Sequence, residues 1–189
     1  MSAPTSNAAV SVNATRLSPV WQALAVAGGI GVLTLSSYVQ VPMQPVPLTL
    51  QTLAVTLVGA VLGWRLGVAT ILAWLAAAAA GLPVLAGVTH LAAFAGPTAG
   101  YLMAFPAAGA LCGWLAERGW DGRKPALALA SMMIGNALCL VVGAAWLSLS
   151  LGVDKAIMTG VAPFLIGGAL KSAMGAAALT GLYMVRQKR

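Results

Sequence analysis

The chain has 189 residues, of which 60% are hydrophobic and only 7% charged, whereas an ordinary soluble domain carries about 25% charged residues. So few charges cannot cover a water-facing surface, and a mean hydropathy of +0.94, spread along nearly the whole length, excludes a soluble domain hung on one anchor. The net charge of +7 resides in Arg16, Arg65, Arg118, Arg123, Lys124, Arg186, Lys188 and Arg189, all between or beyond apolar runs, plus Lys155 and Lys171; that placement favours a topology signal over nucleic-acid binding.

In chain order, residues 1–18 are polar and carry one charge, Arg16, and read as a flexible or surface-lying tail. A cleaved signal peptide also fits Arg16 ahead of an apolar run, but that run is long enough to span and lacks a clear A-x-A site. Apolar runs follow at 21–39, 48–62, 66–82, 97–116, 126–151 and 161–185. A spanning helix needs about twenty residues, with roughly seventeen tolerated. The expectation is therefore an all-α integral membrane protein, a six-transmembrane-helix bundle forming one domain over 19–189. The second run is short, as for a helix that begins below the outer surface. With no water in the bilayer each span must satisfy its own backbone, and the alternating strands of a β-barrel are not seen.

Charge placement orients the bundle. If Arg16 lies inside, the inside breaks and tail hold eight basic residues and the outside breaks hold one, Lys155. Both termini are predicted cytoplasmic, in the cell (inner) membrane. Small residues recur at four-residue spacing, as Gly59, Gly63 and Gly67, Gly109 and Gly113, and Ala23 and Ala27. That spacing lets helix backbones approach closely. Packing within the chain accounts for most of them, while Ala23 and Ala27 can equally serve a partner.

The first outer break, 40–47, holds three prolines and is followed by Leu48-Thr49-Leu50-Gln51-Thr52. The prolines stiffen an extended segment and remove donors at a membrane boundary. Thr49 is a candidate helix cap, with Gln51 and Thr52 in the first turn. Gln51 offers two donors and an acceptor, suited to a urea, amide or carbonyl group, or simply to interfacial water. His90, in the second outer break, has no nearby ligands and no assigned role. In Gly96-Pro97-Thr98-Ala99-Gly100-Tyr101, Pro97 fits the first helical position, and Thr98 and Tyr101 share a face. Tyr101 fits either a pocket or an aromatic belt. Asn136, mid-span, needs a partner, either a ligand or a neighbouring helix. Cys112 and Cys139 lie in apolar runs without metal-ligand spacing and read as buried thiols.

Lys171 is the most informative residue. It stands ten residues into the last run, near the midplane at about 1.5 Å per residue. A central lysine costs about 2.5 to 3.5 kcal/mol on insertion scales. The only acids, Glu117, Asp121 and Asp154, fall in or beside breaks, so no carboxylate is expected at its depth, and snorkelling must cover a long reach. A polar cavity that binds an anionic ligand is the favoured reading. Gly167, Gly168 and Gly175 share its helix face and would leave a hollow around it. No P-loop, H-E-x-x-H, G-x-S-x-G or intramembrane acid pair is found, and no metal or cofactor is expected. A coupled secondary transporter lacks a duplicated half and an intramembrane acid.

The strings VPMQPVPLTLQTLAV (41–55), GLPVLAG (81–87), GPTAGYL (96–102) and PFLIGGALK (163–171) resemble the biotin-specific substrate-binding subunits, or S components, of energy-coupling-factor vitamin transporters, the BioY family. The resemblance implies six helices and a vitamin held near the outer side. It implies that Lys171 meets the biotin carboxylate, with Gln51, Thr49, Thr98, Tyr101 and Asn136 as candidate pocket residues and Trp74 stacking on the ring system. Family members are not enzymes; they pair with a transmembrane coupling subunit and two ABC-type ATPases, and the A-x-x-x-A pattern of Ala23 and Ala27 is similar to their docking contact. This chain carries Gly168 where many members have Asp, Ala99 where Gly is common and Leu85 where Phe is common. A stand-alone biotin carrier is the first alternative, and an intramembrane enzyme using Lys171 the second.

Overall fold

The computed structural model describes residues 18–86 and 91–188. The tail expected over 1–18, apart from Ser18, and His90 lie outside the described residues. Helix α1 (Pro19–Tyr38) starts with Pro at its first position, where a missing N–H costs nothing. Only Gly29, Leu33 and Ser37 of α1 are buried, one narrow stripe at four-residue spacing. A short antiparallel ribbon follows, β1 (Gln40–Val41) against β2 (Leu48–Thr49), with Gln40 opposite Thr49 and Val41 opposite Leu48. The proline-rich segment between them therefore folds back as a hairpin rather than running extended.

Helix α2 (Gln51–Ala79) takes in most of both the second and the third predicted runs. It breaks at Gly63, whose φ of 79° and ψ of 168° are open to glycine and not to other residues. A Cβ on Gly67 would lie 2.9 Å from the Cα of Gly59, although eight residues of straight helix span about 12 Å. The arms 51–62 and 64–79 thus lie side by side, and the backbone N–H of Trp64, the orphan donor at the start of the second arm, donates to Glu117 Oε1 at 3.1 Å. Of the three glycines in the stripe, Gly59 and Gly67 serve close packing, whereas Gly63 makes the turn.

After a loop and a 3-10 turn at Leu91–Phe94 come α3 (Ala99–Glu117), α4 (Pro125–Leu151), α5 (Val153–Gly160) and α6 (Ala162–Gln187). The start of α3 corrects the expectation for Pro97: the cap position falls to Thr98 and the helix begins at Ala99, so Pro97 precedes it. The short α5 occupies the break predicted at 152–160. Helix α3 is the most enclosed; Gly109 meets Gly59 backbone to backbone, and Gly113 meets Trp64. Among the described residues five helices, α1, α2, α3, α4 and α6, are by length and composition apolar enough to cross a membrane.

Large apolar side chains point outward all around, with Ile166 84% and Leu149 81% exposed, as expected where lipid replaces water. The interior holds two clusters. The larger centres on Trp74, Tyr101, Phe105 and Phe164, and the smaller on Met132, Ala176 and Leu179. Helix α6 reaches both through one stripe of Phe164, Gly168, Lys171, Ser172, Gly175 and Leu179. At the end near Gly63, the α3–α4 turn docks on α6, with Gly122 against the Leu179 backbone, and Arg123 Nε bridges both oxygens of buried Asp121 at 3.1 Å.

Candidate ligand cavity

Lys171 is 7% exposed, and its Nζ donates to the main-chain oxygen of Thr49 at 3.1 Å. The β-ribbon therefore dips inward to meet it. Among the described residues no ion pair involves Lys171: Glu117 caps the second arm of α2, Asp121 pairs with Arg123, and Asp154 sits in the first turn of α5. One carbonyl leaves two ammonium hydrogens unused, and Lys171 also lines a cavity of about 60 Å³.

That cavity brings together Thr49, Gln51, Thr98, Tyr101, Asn136 and Lys171, six of the seven residues singled out in the sequence. Phe105 and Phe164 form its aromatic walls with Tyr101, whose ring is tilted at 30° to Phe164 with centroids 6.3 Å apart. The chain has three Phe, and two of them, neither singled out in the sequence, line this space. Tyr101 is buried, not part of an aromatic belt, and its hydroxyl donates to Gly160 O at 2.7 Å. Gly143 lies flat against its ring.

Trp74 is not brought into the cavity. It is fully buried one layer behind, stacked on Phe105 at 6.2 Å, with Nε1 donating to Val84 O at 3.2 Å. Thr49 also differs from expectation. Leu50 occupies the cap position of α2 with no side-chain bond, while the Thr49 hydroxyl accepts the Gln51 N–H at 3.3 Å and donates to Gln51 Oε1 at 3.2 Å. Thr52 Oγ1 is buried, lines the cavity and has no partner.

Of the three glycines expected to make a hollow, only Gly168 does so: a Cβ there meets nothing within 4 Å, and the residue lines the cavity. Gly167 packs on Leu48, and Gly175 on Met132 and Leu53. A second space of about 190 Å³ shares Pro47, Thr49, Gln51, Thr98 and Leu102 with the first and extends toward Gly96 and Ser37. Both cysteines are buried thiols, and Cys139 also touches the cavity. No cluster of three metal-ligating side chains occurs among the described residues. Ala23 and Ala27 are exposed on α1, and Gly28 and Gly31 beside them have nothing near their missing side chains.

A lipid-facing helical shell around a mostly apolar cavity, lined by the one buried cation among the described residues, defines a multi-pass membrane protein. The model of the BioY family matches residues 7–188, and the chain belongs to that family. It is 37% identical over 145 residues to the probable biotin transporter BioY of Pyrococcus horikoshii, covering 76% of this chain and 85% of that protein. Biotin transporter BioY2 of Lactococcus lactis is 34% identical over 164 residues, covering 85% and 88%. The fold is that of a crystal structure described as the S-component for biotin from an ECF-type ABC transporter, with a TM-score of 0.78, 24% identity, and coverage of 87% of this chain and 92% of that one.

Proposed function

We propose that the protein is the biotin-binding component of an energy-coupled vitamin transporter, and that it is no enzyme. The observation that carries this reading is Lys171, a buried ammonium with one neutral partner, facing a cavity whose other walls combine aromatic and aliphatic side chains with a few hydrogen-bonding groups. The biotin carboxylate supplies the missing counter-charge through a charge-assisted bond. The names borne by the relatives supply the vitamin. Biotin enlarges the 60 Å³ cavity by displacing the β-ribbon side of its wall into the adjoining space. Trp74 acts through Phe105, stiffening the aromatic wall.

Counting each arm of α2 as a span gives six. The end bearing Gly63, Arg65, Arg118, Arg123, Lys124 and Arg186 faces the cytoplasm, with both termini, and the ribbon and cavity face outward across the cell membrane. The chain has no P-loop, so the energy for delivery comes from a transmembrane coupling subunit and two ATPase subunits, docked on the exposed Ala23 and Ala27 face of α1. Uptake of labelled biotin in cells with and without the coupling module tests this. Accumulation above the outside concentration only when the module is present is expected; equal uptake in its absence would establish a stand-alone carrier instead.

A further inference from the structure

The cavity contains a second polar group whose direction is fixed by its surroundings. Asn136 Nδ2 donates to the Met132 carbonyl at 3.0 Å and to Ser172 Oγ at 3.0 Å. Ser172 Oγ in turn donates its one hydrogen to the Gly168 carbonyl at 2.7 Å. Both ends of this chain are carbonyl oxygens, which only accept. The amide therefore cannot be reversed: its nitrogen spends both hydrogens inside the protein, and Oδ1 is left as a pure acceptor. Asn136 is 5% exposed, lines the cavity, and its Oδ1 is not among the enclosed orphan atoms, so the oxygen opens onto that space. The open volume at Gly168, one helical turn before Ser172, lies beside it.

We infer that Asn136 selects the ligand by accepting one of its N–H groups, with Ser172 as the positioning residue that holds the amide in this sense. The inference rests on the biotin reading above, which supplies a ring urea with two N–H donors, and it assigns one of them to Asn136 Oδ1. A buried acceptor left without a donor is penalised, so Asn136 rejects molecules of the same shape that lack the hydrogen.

The test uses the purified full-length chain, biotin, and the two near-isosteric cyclic carbamates in which one or the other urea N–H is replaced by oxygen. The wild-type chain is expected to bind one of the carbamates about 10- to 100-fold more weakly than biotin. Asn136→Ala, or Asn136→Leu should the smaller residue unfold the chain, removes most of that preference. Ser172→Ala lowers the preference by about 2- to 5-fold while Asn136 is retained, a change that a role in packing alone would not produce. Retention of the full wild-type preference in both Asn136 variants, or equal wild-type affinity for biotin and both carbamates, would overturn the assignment while leaving the biotin reading intact. Absence of biotin binding by the wild-type chain would overturn both.

Discussion

Lys171 Nζ lies 3.1 Å from the carbonyl oxygen of Thr49, joining residues 122 apart in sequence. This one bond ties α6 to the end of the β-ribbon and leaves the ammonium short of a counter-charge. On the proposed function, ligand capture and the position of the ribbon depend on one group. A buried cation without a carboxylate lowers stability in the absence of ligand, because its desolvation is only partly offset. Lys171→Met is therefore expected to leave thermal unfolding of the ligand-free protein unchanged or higher, while weakening biotin binding by at least about 10-fold, in line with a charge-assisted bond of roughly 1.5–3 kcal/mol. Scanning calorimetry with and without biotin checks both halves.

Gly168 faces open space within the cavity, so a side chain there costs the fold little and the ligand much. Gly168→Val is expected to unfold at or slightly above the wild-type temperature, because valine is no worse a helix former than glycine, but to lose biotin binding. A variant that unfolds early would show that the hollow is not open.

The turn at Gly63 makes the opposite prediction. Its positive φ resists any side chain, and so does Glu117 Oε1, which stands 2.6 Å from the place a Cβ would occupy. Gly63→Ala is expected to cost about 1–2 kcal/mol or more from backbone strain alone. Gly28→Ala, in a helix with nothing within 4 Å, should stabilise by about 0.5–1 kcal/mol. Glu117→Ala, which strips the cap from Trp64, should cost about 0.5–2 kcal/mol. Thermal unfolding in one detergent ranks the three.

If the exposed face of α1 docks the coupling subunit as proposed, binding and coupling are separable. Ala27→Trp projects away from the cavity and should leave biotin affinity unchanged, while its bulk prevents close helix approach and abolishes co-purification with the coupling module. Loss of binding in this variant would place α1 in the ligand site.

The run boundaries are readable because lipid demands long apolar segments, and α1, α3, α4 and α6 fall within a few residues of those runs. The two runs around Gly63 are visible as separate segments because Trp64-Arg65 interrupts them, yet the sharpness of the turn is a backbone property of Gly63 with no hydropathy signal. Helix α5 leaves no such trace because its eight residues include Asp154 and Lys155 and cannot span. Within the site, polar residues stand out against an apolar background, so Lys171, Asn136, Thr49 and Gln51 can be found one by one. Phe105 and Phe164 cannot, since helices apolar on every face carry no pattern that separates a cavity wall from a lipid contact. The position of Trp74, buried behind Phe105, is hidden in the sequence for the same reason. The inward fold of the proline segment depends on a ribbon pairing across a turn, and on Thr49 reaching Lys171, contacts that no local pattern encodes.

In the proposed function the Lys171 ammonium holds a ligand carboxylate. The most direct test of that contact is calorimetric titration of the purified chain with biotin and with biotinamide, which differs only in lacking the charge. One-to-one binding of biotin, at least about 10-fold tighter than the amide, with the preference gone in Lys171→Ala, is the predicted result. Equal affinity for acid and amide, or a preference that survives in Lys171→Ala, would contradict it.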